Sequence, residues 1–137
     1  MQIGFVLIGN TEKLKTLSKI AERKLVKDGH TIKYFSTENS EYEKICVEKH
    51  VIFFMDSGKI FSTCSSLALL EKFLKSKGNI LTRYASLFAT HKPFGMKTFL
   101  KALTILENYG FVLQDTDVVK NSYEMNEIMQ TFTPAES

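Results

Sequence analysis

Three short segments of the chain carry residue types that bind anions or move protons. The first, Gly9–Glu12, reads Gly-Asn-Thr-Glu and lies between an apolar run and a helical pattern. The first amides of a helix lack internal partners and carry the positive end of its dipole, so this segment is suited to a phosphate group. Gly9 would allow close approach and Thr11 would add a hydroxyl donor. A plain turn in which Asn10 or Thr11 caps the helix explains the same residues.

The other two segments also follow apolar runs. Asp56–Phe61 contains the cation Lys59, and Thr90–Gly95 contains His91 and Phe94. Histidine titrates near neutral pH and is suited to proton transfer. An exposed loop histidine without a role explains His91 as well. Both segments therefore stay candidates for a binding or catalytic site.

Hydrophobic patterning predicts the elements that position these segments. Strand-like runs rich in apolar residues are Ile3–Ile8, Thr31–Phe35, Val51–Met55, Tyr84–Ala89 and a fifth beginning at Phe111–Leu113 and ending by Asp115. Between them, apolar residues recur at helical spacing over Leu14–Leu25, Leu67–Leu74 and Met96–Leu106, with glycines after each at 29, 78 and 110. A short helix is expected around Tyr42–Val47.

Alternation of strands and helices predicts a parallel sheet with helices on both faces. We expect an α/β protein, a three-layer α/β/α sandwich with a five-stranded sheet of order 2-1-3-4-5. Residues 1–137 would form one domain, with 119–137 as a short C-terminal helix and a tail frayed from Thr133. Ligands of such sheets bind beyond the carboxyl ends of the strands where the strand order reverses. All three segments fall at that edge.

Composition excludes several classes of function. The net charge of +3 comes from 18 basic and 15 acidic residues without a basic stripe, so no nucleic-acid partner is expected. The longest apolar stretches, Val51–Met55 and Phe99–Leu106, are too short to span a membrane. No signal peptide is recognised, and we expect Cys46 and Cys64 to be free thiols in the cytoplasm. No metal site is expected, since His50 alone lies near the cysteines.

The Gly9–Glu12 segment resembles the end of the flavodoxin phosphate loop, which reads Ser/Thr-x-Thr-Gly-Asn-Thr. From Val51 to Leu113 the order of strands, loops and helices is similar to that of flavodoxin-like quinone reductases of the tryptophan-repressor-binding-protein type. The resemblance covers the chain to about residue 116, mostly at the level of the fold. It implies an FMN-binding protein of electron transfer or quinone-type reduction, with a small-molecule or protein redox partner and with a homo-oligomer left open.

The resemblance also implies roles for individual residues. The flavin phosphate would contact Gly9–Glu12, and the other two loops would flank the flavin ring, with His91 as a proton donor to a quinone. The cofactor-binding set implied in this way is Gly9, Asn10, Thr11, Glu12, Ser57, Gly58, Lys59, Phe61, Thr90, Phe94 and Gly95. Packing in the core beneath the loop explains Phe61 equally.

The chain departs from the flavodoxin pattern in its first loop. Ile8 and Val6 stand where hydroxyl-bearing residues belong, and the loop is about three residues short against the usual strand length. A flavodoxin-like domain that has lost FMN and acts as an interaction module therefore stays open. So does a phosphoacceptor domain of the response-regulator type, with Asp56 as acceptor, although it lacks the acidic pair that holds Mg²⁺. No nucleophile elbow supports a hydrolase.

Overall fold

The computed structural model describes residues 1–9, 11–35, 50–56, 66–76, 84–90 and 95–134. Within them lie five strands: β1 (Gln2–Ile8), β2 (Thr31–Phe35), β3 (His50–Met55), β4 (Tyr84–Thr90) and β5 (Val112–Val119). The helices of the same residues are α1 (Glu12–Lys27), α2 (Ser66–Ser76), α3 (Gly95–Asn108) and α4 (Ser122–Thr131). The helix predicted around Tyr42–Val47 and the helix end predicted at Gly78 lie outside the described residues.

The five strands form one parallel sheet in the order β2-β1-β3-β4-β5. This confirms the predicted α/β class and strand order. In the register of the three central strands, Ile8 pairs with Met55, and Met55 pairs with Ala89. The carboxyl ends of β1, β3 and β4 therefore lie side by side at one edge of the sheet.

Side chains alternate between the two faces of the sheet and build a core on each. One core packs Val6, Phe53 and Leu87 against α2 and α3. The other packs Phe5, Phe54 and Phe88 against α1 and α4. All six residues of β3 are buried, because helices cover both faces of this central strand. That double burial explains the uninterrupted apolar run in the sequence.

No helix in the described ranges is long and apolar enough to cross a membrane. The longest, α1, spans 16 residues and buries one side only, including Leu14, Leu17 and Leu25. Its remaining face carries the lysines and arginine of the segment, as an amphipathic surface helix should.

The fifth strand is longer than the sequence predicted. It was expected to end by Asp115, but β5 runs on to Val119. The prediction was wrong because Gln114–Asp117 is polar, and β5 is an edge strand whose polar side chains reach solvent. A register shift opposite Ala85 and Leu87 and a left-handed φ of 53° at Asp115 interrupt the pairing midway.

The C-terminal segment closes the α1 face of the sheet. Asn121 caps α4 by accepting a hydrogen bond from the Glu124 amide at 2.9 Å, and Glu124 accepts one from the Lys120 amide at 2.8 Å. Beyond the helix, Phe132 and Pro134 are buried. The described part of the chain runs through Pro134. Residues 135–137, the rest of the expected frayed tail, lie outside the described residues.

A buried histidine ties three strands together at the opposite, amino end of the sheet. His50 is fully buried, and its Nε2 atom lies 2.8 Å from Ser86 Oγ. Ser86 donates its single hydroxyl proton to the Gln114 carbonyl, so His50 Nε2 must be the donor to Ser86. Burial lowers the pKa of His50 from 6.5 to about 4. The imidazole is therefore neutral in the folded protein at pH 7.

We expect the free energy of unfolding to fall as the pH drops from 6.5 towards 4, because only the unfolded chain readily protonates His50. Between these pH values, His50 makes the free energy of unfolding change by up to about 1.4 kcal/mol per pH unit. Above pH 6.5 its contribution to that free energy no longer changes with pH. Urea denaturation across this range should show a shallower pH dependence for His50→Gln than for wild type. A wild-type slope in His50→Gln would contradict the assignment.

Candidate functional site

The strand register itself assembles the candidate site. Gly9 and Asp56 are the residues that follow the paired Ile8 and Met55, and Thr90 follows Ala89 on the next strand. Because Ile8, Met55 and Ala89 are paired across the three parallel strands, the residues that follow them are neighbours at the carboxyl edge of the sheet. The edge lies at the reversal of strand order between β1 and β3, where sheets of this type bind ligands.

A carboxylate and two hydroxyls form the centre of the site. Thr11 Oγ1 donates a hydrogen bond to Asp56 Oδ1 at 3.0 Å, and Thr90 Oγ1 donates to the same oxygen at 3.3 Å. Thr90 is fully buried and Asp56 is only 8% exposed. The Asp56 amide also donates to the Ile8 carbonyl at 3.2 Å. We call Thr11, Asp56 and Thr90 the edge cluster.

Thr11 begins α1 as its N-cap. Its backbone is extended (φ −73°, ψ 153°), and its hydroxyl oxygen accepts a hydrogen bond from the Leu14 amide at 3.3 Å. The same hydroxyl donates its one proton to Asp56. Capping of α1 was one of the two interpretations of this segment from sequence, and the structure shows the cap directly.

Gly9 lies so close to the Asp56 carboxylate that a side chain at position 9 would clash with it. A Cβ on Gly9 would lie 2.6 Å from Asp56 Oδ2 and 3.1 Å from Leu14 Cδ1. Its φ of +127° is also one that side-chain-bearing residues rarely adopt. The glycine is therefore required by the carboxylate beside it.

The structure brings together only part of the predicted binding set. Gly9, Thr11 and Thr90 meet around Asp56. Glu12 starts α1 with a largely exposed side chain that pairs with Lys15 at 3.5 Å, and Gly95 starts α3. The other predicted residues lie outside the described part of the chain: Asn10, Ser57, Gly58, Lys59, Phe61, His91 and Phe94.

The predicted set omitted Asp56, the residue at the centre of the site. Asp56 was interpreted as the stop of a strand and as the acceptor in one alternative. Its position one residue after a fully buried strand, at the reversal of strand order, was the signal that could have identified it. Among the described residues, no cluster of three or more histidines, cysteines or acidic residues could hold a metal ion.

The observed end of β5 at Val119 bears on the alternative of a phosphoacceptor domain. Lys120 directly follows this strand, so Asp56, Thr90 and Lys120 follow or end β3, β4 and β5 as a phosphoacceptor domain would require. Gly9, however, stands after β1 at one of the places where such a domain carries its Mg²⁺-binding acids. Residues 9–11, which connect β1 to α1, include no acidic residue, so this alternative lacks the carboxylates that would hold Mg²⁺ there.

The chain matches no protein-family model and no curated protein sequence. Solved structures do match it. The oxidised flavodoxin 1 of Bacillus cereus superposes with a TM-score of 0.69 at 8% identity, over 95% of this chain and 93% of that one. Reduced Megasphaera elsdenii flavodoxin gives 0.64 at 10% identity, over 93% and 96%.

A flavodiiron core from Synechocystis gives a TM-score of 0.65 at 13% identity, over 95% of this chain but 34% of that one. The chain therefore has the flavodoxin-like fold, which confirms the resemblance deduced from its sequence at the level of fold. These likenesses do not single out the quinone-reductase type named by that resemblance.

We expect Gly9→Ala to destabilise the protein more than Gly110→Ala. Both glycines have positive φ, 127° and 95°, so both alanines cost roughly 1 to 2 kcal/mol of backbone strain. A Cβ at Gly110 meets nothing within 4 Å, whereas one at Gly9 meets Asp56 Oδ2. The crowding should lower the free energy of unfolding of Gly9→Ala by roughly 1 kcal/mol more. Urea denaturation measures both, and equal losses would show that Asp56 does not crowd Gly9.

Thr11→Val should remove the cap of α1 and one hydrogen bond of the edge cluster. We expect the free energy of unfolding to fall by about 1 to 2 kcal/mol, the range of lost N-caps. Thr104→Val is the matched control, because the exposed Thr104 hydroxyl bonds, among the described residues, to the Leu100 carbonyl of its own helix. That control should change stability by less than about 0.5 kcal/mol in the same denaturation experiment. Equal effects of the two substitutions would remove Thr11 from the cluster.

Proposed function

We propose that this chain binds a flavin at the carboxyl edge of its sheet and serves in electron transfer. One observation carries the proposal: the buried polar edge cluster lies at the reversal of strand order, where ligands of this fold class bind. Flavodoxins among the structural neighbours support the choice of a flavin. A bound flavin would supply the redox chemistry, and the protein would supply binding and electrostatics.

The described residues do not fit the phosphate of FMN, the flavin that the resemblance implies. Thr11 was expected to donate to the phosphate, but its proton is donated to Asp56, and an acidic side chain lies where the anion was expected. The hydroxyls and carboxylate of the edge cluster are instead chemically suited to the hydroxyl groups of a flavin side chain.

The remaining parts of the proposal rest on sequence. Ser57, Gly58, Lys59 and Phe61 would line the flavin ring from one side, and His91 and Phe94 from the other. Quinone-type reduction, a small-molecule or protein redox partner, and a cytoplasmic location belong to the same proposal. No residue of these two loops between 57 and 65 or between 91 and 94 is among the described ones.

A second candidate function is an interaction module that binds no flavin. The hydrogen bonds within the edge cluster favour it, because Thr11 and Thr90 both donate to Asp56 Oδ1 without any ligand. These bonds hold the cluster together with nothing bound. Such a protein would use the fold as a scaffold and bind a protein partner elsewhere on its surface.

Flavin binding decides between the two functions. We expect the purified protein to quench the fluorescence of an added flavin saturably, with a Kd near or below about 1 µM, or about −8 kcal/mol. Gly9→Ala, whose Cβ would displace the Asp56 carboxylate, should weaken the binding of riboflavin, and Gly110→Ala should not. Riboflavin and FMN are both titrated. If neither binds up to millimolar concentration, the flavin proposal fails and the interaction module stands.

A further inference from the structure

We infer that Asp56 makes the carboxyl edge select an unphosphorylated flavin, riboflavin, over FMN. This inference rests on the proposed flavin-binding function and specifies its ligand. Its basis is that the protein places its own carboxylate beside the N-terminus of α1, the end of a helix that favours a phosphate.

The position of Asp56 is set by the backbone on one side and by side chains on the other. Its amide donates to the Ile8 carbonyl at 3.2 Å, which holds it against the end of β1. Its Oδ1 atom accepts hydrogen bonds from Thr11 and Thr90. Its Oδ2 atom lies against Gly9. The carboxylate therefore occupies the space beside the β1–α1 connection.

The Asp56 carboxylate also lies close to the N-terminus of α1, the positive end of the helix dipole. Thr11 is the N-cap of α1, and Asp56 Oδ1 lies 3.0 Å from its hydroxyl. Helix N-termini stabilise a nearby negative charge, and Asp56 supplies one within the chain. A phosphate at this site would therefore be repelled by the charge of Asp56, which already offsets the positive end of the α1 dipole. Like charges that share one site disfavour each other's ionised forms.

Hydrogen bonding leads to the same conclusion as charge. A hydroxyl has one proton, and that of Thr11 is donated to Asp56, so Thr11 cannot also donate to a phosphate. An ionised carboxylate only accepts, and a phosphate dianion likewise offers no proton to it. The two groups cannot bond to each other.

A ligand hydroxyl has the complementary chemistry. Asp56 Oδ2 accepts no hydrogen bond from any residue that the structure describes, and Asp56 keeps 8% of its surface exposed. A hydroxyl on an uncharged ribityl chain can donate to this oxygen without adding charge. Riboflavin carries such hydroxyls and ends in one, where FMN carries its phosphate.

Direct titration tests the selection. Wild-type protein is titrated into riboflavin and, separately, into FMN, with flavin fluorescence as the readout. We expect riboflavin to bind at least roughly tenfold more tightly, the scale of one nearby like charge. Asp56→Asn removes the charge and keeps an oxygen that accepts from the two threonines. It should improve FMN affinity by roughly tenfold relative to riboflavin affinity, because the charge is gone and the amide nitrogen that replaces Oδ2 cannot accept a hydrogen bond from a ribityl hydroxyl.

Asp28→Asn is the matched control, since it removes the same charge at the opposite end of α1. It should alter neither affinity. Circular dichroism checks that Asp56→Asn folds, and the wild-type comparison of the two flavins needs no variant. Inorganic phosphate added to wild type should leave riboflavin binding unchanged.

Each outcome has a separate meaning. If wild type binds FMN as tightly as riboflavin, or more tightly, the selection by Asp56 is wrong while flavin binding stands. Competition between inorganic phosphate and FMN in wild type would overturn it in the same way. If neither flavin binds to wild type or to Asp56→Asn, the proposed function fails and the inference fails with it.

Discussion

The hydrogen bonds to the Asp56 carboxylate are the interaction on which the carboxyl edge of this protein depends. They join the start of α1 to the ends of β3 and β4 through one oxygen atom. The β1–α1 connection can approach only because Gly9 has no side chain, and α1 begins where it does because Thr11 caps it. Removing the carboxylate would leave Thr90, which is fully buried, without this acceptor.

In the proposed flavin site, this arrangement disfavours a phosphate. The flavodoxin-like sheet places the N-terminus of α1 at an edge that is well suited to an anion. In this chain the connection between β1 and α1 contains only residues 9 to 11, and Asp56 brings a negative charge beside it. The short connection and the acidic neighbour both act against a phosphate. A flavin held at this edge would have to bind through uncharged groups and its ring.

The two ends of the sheet illustrate different uses of buried polar groups. At the amino end, His50, Ser86 and the Gln114 carbonyl link β3, β4 and β5 where the register of β5 shifts. Burial keeps that histidine neutral, so it acts as a structural donor at pH 7. At the carboxyl end, the edge cluster retains a carboxylate with limited exposure to solvent. Among the described residues, this end brings a carboxylate, a glycine and the N-terminus of α1 together in one place.

Local sequence determined most of the architecture. The apolar run Val51–Met55 predicts a strand covered on both faces, and the helical spacing after Thr11 predicts α1, because both patterns depend on residues close together in the chain. The strand order followed from the alternation of these elements. The cap at Thr11 was also within reach of the sequence, since a cap bonds to an amide three residues away.

The tertiary structure decided the site. Asp56 meets Thr11 across 45 residues and Thr90 across 34, and only the register of three parallel strands brings them together. No spacing in the sequence predicts that the hydroxyl of Thr11 is donated to a carboxylate. The full length of β5 was missed for a related reason. Its polar residues resemble a loop until β4 pairs with them, so long-range pairing overrode the local pattern.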